Sequence, residues 1–273
     1  MVFLSACAVL SPCRKKTSDE ESFRTSFSVI EVKFIKVKDD SGLLGVLPDK
    51  EAVDRAVLKE ASKFDFIEIK TGLPDAECSF AAEAILSSTE GKIYYQINAS
   101  LVRKVSGEPV EGYYSREGGE SESGEFFDKL VAAIAAGFRN TAVQIKISHS
   151  EESAVVEALK SPQIHAALAA IDECRERRLA DCGENLTSLL KSGNGDILLR
   201  ALGAVSILKV GSAAETVASI VDSSENPDIL IAAMNALHDI GAQKSRAYLK
   251  DIAENHPSEG VRNYAKSLLS KDK

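Results

Sequence analysis

Three stretches of the chain share one spacing, and that spacing limits the possible folds more than any other feature. In "NPDILIAAMNALHDIG", residues 226–241, apolar and small side chains fall at Ile229, Ala233, Ala236, Leu237 and Ile240, and a glycine closes the run. Moved forward by 32 residues, Ile229, Ala233, Ala236 and Leu237 land on Val261, Ala265, Leu268 and Leu269; moved back by 32 they land on Ile197, Ala201, Ala204 and Val205. At a further step of 34, Ala167, Ala170, Ile171 and Cys174 match more weakly. Between these segments lie apolar triplets at Leu186, Leu189 and Leu190, at Val217, Ile220 and Val221, and at Leu249, Ile252 and Ala253. Helices with stripes this narrow cannot bury them alone, whereas helix pairs stacked on their neighbours close a shared interior.

The expectation for residues 150–273 is therefore an α-solenoid of helix pairs. Its repeat core is read as Ala167, Ile171, Ile197, Ala201, Val205, Ile229, Ala233, Leu237, Val261, Ala265 and Leu269. Alanines at 201, 204, 233 and 236 let helices approach closely. Pro227 suits the first turn of a helix, where its missing N–H has no partner to lose, and Gly211 and Gly241 suit helix C-termini.

"NPDILIAAMNALHDIG" and "SEGVRNYAKSLL" resemble HEAT repeats of the short bacterial, PBS-lyase-like type. Such units commonly open with Asn/Asp-Pro, a β-branched residue and Arg, and continue through Ala to Ala-Leu and Ile-Gly. The resemblance spans residues 151–271, about three and a half units. Leu198 and Leu230 stand where Arg is usual, and "DECRERRLADCGEN" makes the first unit an imperfect cap. The resemblance implies a protein-binding scaffold.

Residues 25–149 read differently. Alternation at Ile30, Val32 and Phe34 marks a strand. Asp49 caps a helix with Val53, Ala56, Val57 and Ala61 on one face, and "FDFIEIK" is a second strand. A meander follows: Phe80–Ser88, which reads as a strand although its alanines also suit a helix, then Ile93–Leu101 and a third strand after "SGEP". "REGGESESGE" reads as a flexible acidic loop. Phe126, Phe127, Leu130, Val131, Ile134 and Phe138 mark a second helix, and "TAVQIKI" reads as a closing strand. The order predicted is β-α-β-β-β-β-α-β, a small α/β unit with a mostly antiparallel sheet, making the whole chain α+β.

Residues 1–24 carry an apolar run, Val2–Leu10, far shorter than the ~20 residues that span a bilayer. "LSAC" and "LSPC" resemble the bacterial lipobox, which makes Cys13 and Cys7 lipidation candidates, with "RKKTSDEES" as a polar tether. No basic segment precedes the run, a departure from the pattern. The expectation is an envelope lipoprotein facing the periplasm and touching the membrane only through its lipid. A cytoplasmic adaptor is the alternative.

Composition excludes several classes. Net charge is −8, with 41 acidic against 33 basic residues and no domain-wide basic face, which argues against a nucleic-acid partner. The five cysteines form no CxxC pair and the four histidines, His149, His165, His238 and His256, lack ligand spacing, so neither a metal nor a cofactor is expected. Cys174 and Cys182 are either bridged or packed as two small apolar side chains. No nucleophile motif is present, so the chain reads as non-catalytic, with protein partners. The rival reading is an enzyme or enzyme subunit with a site in the cleft between the two units and residues 117–125 as a lid.

Overall fold

The computed structural model describes residues 25–40, 42–45, 47–69, 78–90, 92–104, 109–120 and 126–271. Cys7 and Cys13 lie outside the described residues. The first unit is a five-stranded sheet of order β2-β1-β3-β4-β5, built from β1 (Thr25–Asp39), β2 (Ile67–Ile69), β3 (Cys78–Thr89), β4 (Lys92–Lys104) and β5 (Pro109–Glu120). The meander is its antiparallel half, β3-β4-β5, while β1 runs parallel to both β2 and β3. Two helices, α1 (Lys50–Ala61) and α2 (Phe126–Ser148), cover one face.

Period-two burial decides β3. Phe80, Ala82, Ala84 and Leu86 are buried under the helices while Ala81 and Glu83 are exposed, so this alanine-rich segment is a strand. On β4 the buried set is Ile93, Tyr95, Ile97, Ala99 and Leu101. Rings of Phe27 and Phe80 pack on Phe138 at 5.1 and 5.3 Å between centroids. Asp49 accepts from the Glu51 N–H at 3.3 Å and so starts α1.

Two expectations fail here. "TAVQIKI" is not a strand but the last two turns of the 23-residue α2. Its alternation arises because α2 is buried on two sides: Ala142 and Ile145 face the sheet, whereas Ile147 and Val143 join the helical core that follows. A helix wedged between two cores imitates the strand period. The second failure is the acidic loop, since Glu117–Glu120 belong to β5, paired with β4 as far as Glu120 opposite Ile93.

The second unit consists of four helical hairpins: α3 (Glu152–Ala158) with α4 (Ile164–Glu176), α5 (Gly183–Leu189) with α6 (Gly195–Ile207), α7 (Ala214–Ser223) with α8 (Pro227–Ile240), and α9 (Gln243–Asn255) with α10 (Glu259–Ser270). Helices α4, α6, α8 and α10 form one row, each touching the next, and α2 packs on α4 at its head. One continuous apolar cluster runs from Ile147 to Leu268. This is an α-solenoid of stacked helix pairs.

Helix starts and stops repeat as closely as the core does. The N-caps Gln163, Asn194, Asn226 and Ser258 are 31, 32 and 32 residues apart. Two residues earlier, the side chains of Ser161, Ser192, Ser224 and His256 accept the cap residue's N–H at 3.1–3.2 Å. Asn194 and Asn226 accept in turn from the two N–H groups at the head of their helices. At the other end, Arg178, Lys209 and Gly241 adopt left-handed φ values of 54, 53 and 65° at equivalent positions.

These caps correct two details of the sequence reading. Gly211 is not the stop of α6; Lys209 is, and Gly211 opens a short 3-10 turn. The step from the first repeat to the second is 31, not 34, which sets Ala170 against Ala201 and Cys174 against Val205. Ala167 and Ile171 are buried but occupy different positions from Ala201 and Val205.

Candidate functional site

Position along each row helix decides which side chains face inward. Counted from the N-cap, the third residue is Ile197, Ile229 or Val261, and the seventh is Ala201, Ala233 or Ala265. All three alanines, together with Val205 and Leu237, are fully buried; Ile197 and Val261 are buried, and Ile229 and Leu269 half-buried against the same core. These residues are the interior and carry no chemistry.

The opposite face of the row is the one that could meet a partner. The fifth residue after the cap is Leu168, Leu199, Ile231 or Asn263. Leu199 is 37% and Ile231 45% exposed, side by side on adjacent helices, with half-buried Leu168 continuing the ladder. Single exposed apolar residues are common, but an aligned set is a patch.

Polar links tie one repeat to the next along the same face. Arg200 pairs with Asp172, and Tyr264 Oη donates to Asn235 Oδ1 at 2.9 Å, in both cases joining the sixth position of one helix to the ninth of the preceding one. Between α6 and α8 these two positions hold Gly203 and Ala232, and a Cβ on Gly203 would meet open space. The ladder therefore has a shallow gap beside Leu199 and Ile231. Asp196, Asp228 and Asp239 are exposed around it, which makes the surroundings acidic.

The remaining conspicuous residues serve the fold. Cys174 and Cys182 are joined by a disulfide, both fully buried, which resolves the alternative left open by the sequence. It ties the end of α4 to the turn before α5, where the next repeat places Val205 and Ala213. Arg177, from the basic "CRERRLADC" segment, donates to the Ser150 carbonyl at 2.8 Å and so anchors the first hairpin to the end of α2. His256 is a turn acceptor, and His238 Nδ1 lies 3.1 Å from Asp239 Oδ1. Burial, with the Arg139 charge beside it, holds His165 below the usual histidine range. The hydrogen bond from Lys244 keeps the Glu215 carboxyl below its ordinary value and raises Lys244 in return.

Where the rival reading placed a cleft, α2 and α4 pack together directly. Among the described residues no group of three or more His, Cys, Asp or Glu side chains is placed to hold a metal ion, and no helix is long and apolar enough to cross a membrane.

No family model and no curated protein matches this chain. Among solved structures it is similar to a chain from the CpcE–CpcF complex of the phycocyanin lyase of Nostoc sp. PCC7120, at 18% identity over 49% of this chain and 59% of that one, with a TM-score of 0.39. A designed armadillo repeat protein in complex with the peptide (KR)4 gives 12% identity over 53% and 77% of the two chains, with a TM-score of 0.36. An engineered protein gives 17%, 52%, 73% and 0.35 for the same quantities. This chain thus spans about three fifths of the length of the phycocyanin lyase chain.

Proposed function

We propose that the chain is a non-catalytic protein-binding scaffold whose recognition surface is the exposed face of α4, α6 and α8. The observation that carries this reading is the pair Leu199 and Ile231, exposed apolar side chains at equivalent positions of adjacent row helices, with half-buried Leu168 at the same position of α4. Covering such a patch removes apolar area from water at about 25 cal/mol per Å². The acidic rim of Asp196, Asp228 and Asp239 favours a partner segment that carries apolar residues flanked by basic ones.

Its location in the cell envelope is part of the same proposal. The lipobox-like cysteines at 13 and 7 and the Cys174–Cys182 bond support it, because disulfides persist in oxidising compartments. Photo-crosslinking side chains placed at positions 199 and 231, with positions 219 and 250 on the other row as comparators, test the recognition surface in the cells that make the protein. Discrete adducts are expected from the first two positions and not from the comparators. Adducts from the comparators alone, or from none, reject the surface. Labelling with radioactive palmitate tests the anchor: incorporation should vanish in Cys13→Ser or Cys7→Ser, and no incorporation into the unaltered chain removes that part.

A further inference from the structure

Strand β1 is 15 residues long, whereas β2, which flanks it on one side, has 3 and pairs only with Thr25–Phe27. From Val29 onward that side of β1 has no strand beside it among the described residues. Burial follows the difference. Phe27, with β2 alongside, is fully buried, while Val32 and Phe34 pack against the same core and remain half-buried. Their partners on β3, Ala82 and Ala84, which have strands on both sides, are buried. An open edge of this kind presents backbone N–H and C=O groups to which one more strand can pair.

The residues along the edge decide which strand that is. Val29–Ile35, "VIEVKFI", lies between two irregularities in the pairing with β3, one at Phe27/Val29 and one at Lys36/Lys38, so its register is regular throughout. Set antiparallel to itself about Val32, the run places Glu31 opposite Lys33, Ile30 opposite Phe34 and Val29 opposite Ile35. Each position then meets either an apolar residue or the opposite charge. Glu31 and Lys33 are 63% exposed and already 3.7 Å apart within the chain, so two copies would bring four alternating charges together. Moving the axis to Glu31 or to Lys33 would instead set like charges face to face. Charges that blunt an edge against foreign strands therefore select one register with a second copy.

We propose that two copies of this chain pair along β1, antiparallel, about a two-fold axis at Val32. The paired stretch, Val29–Ile35 on each side, forms about six to eight backbone hydrogen bonds and joins the two sheets into one. It covers Ile35, which is 40% exposed in the single chain, and the open sides of Val32 and Phe34. Beyond it, β2 occupies the edge at Phe27, and the irregularity after Lys36 turns each strand away from its partner's β2.

The test is sedimentation of the full chain over a concentration series, with circular dichroism to show that each variant is folded. The unaltered chain should form a dimer with Kd below about 0.5 mM. In Glu31→Lys each Lys33 would face a lysine, and in Lys33→Glu each Glu31 would face a glutamate. Either variant alone should dimerise at least about tenfold more weakly. Mixed in equal amounts, the two variants carry opposite charges at every facing position, and a heterodimer as tight as the original should form. An unaltered chain that stays monomeric to about 0.5 mM would overturn the proposal and leave the edge to a strand of another protein. Single variants that dimerise as well as the unaltered chain, or a mixture no tighter than either variant by itself, would overturn it equally.

Discussion

Lys209 ends α6 with a φ of 53°, a conformation that costs a side-chain-bearing residue roughly 1 kcal/mol and glycine almost nothing. The chain accepts the strain because the turn makes two backbone bonds: Val210 N–H to the Val205 carbonyl at 3.0 Å and Lys209 N–H to the Ser206 carbonyl at 3.1 Å. Lys209→Gly keeps both bonds and relieves the strain. It should therefore raise stability by up to about 1 kcal/mol in urea unfolding, and a loss of stability would show that the lysine side chain is needed there. Gly112 makes the converse case. A Cβ there would sit 2.6 Å from the Thr141 carbonyl oxygen, so β5 can lie against α2 only with glycine at this place. Gly112→Ala should cost on the order of 1 to 3 kcal/mol, measured by thermal unfolding, and a neutral result would mean that the helix stands further from the sheet.

At the level of elements, how much could be read from the sequence depended on how sharply each segment fixes its own register. "NPDILIAAMNALHDIG" was legible throughout, because Asn226, Pro227 and Gly241 mark both ends of a helix with a single apolar stripe. "HAALAAIDEC" was not, since its alanines fit several registers about equally well, and only the caps at Gln163 and Arg178 select a step of 31. "TAVQIKI" misled because two-sided burial gives a helix the period of a strand, and "REGGE" misled because a strand paired through its backbone need not show apolar residues. Two predictions belong to this scale. Ala233→Leu should overpack the seam and cost about 1 to 3 kcal/mol, and a neutral result in urea unfolding would mean that the row is loosely packed. Reducing the Cys174–Cys182 bond frees a loop of 8 residues and should lower stability by about 2 to 3 kcal/mol, read as a lower Tm in reductant that Cys174→Ser reproduces.

For the whole molecule, the decisive feature is that α2 serves two cores. Its Leu130, Ile134, Phe138 and Ile145 lie in the sheet core, whereas Ile147 and Val143 belong with α4 and the helices behind it. The sheet unit therefore closes the open end of the solenoid, a place where a stack of repeats needs a cap. It follows that the two units share stability. That is also the condition for a rigid recognition face, since Leu168 on the first repeat holds its place only while α4 is supported by α2. Amide hydrogen exchange of Phe138→Ala tests this coupling most directly. Phe138 belongs to the core of the sheet unit, where its ring packs against Phe27, Phe64 and Phe80, and its loss should cost about 3 to 5 kcal/mol. The expected result is faster exchange both in the strands and in α4, with the increase fading toward α8 and α10. Faster exchange confined to residues 25–120, with α4 protected as before, would contradict the shared stack.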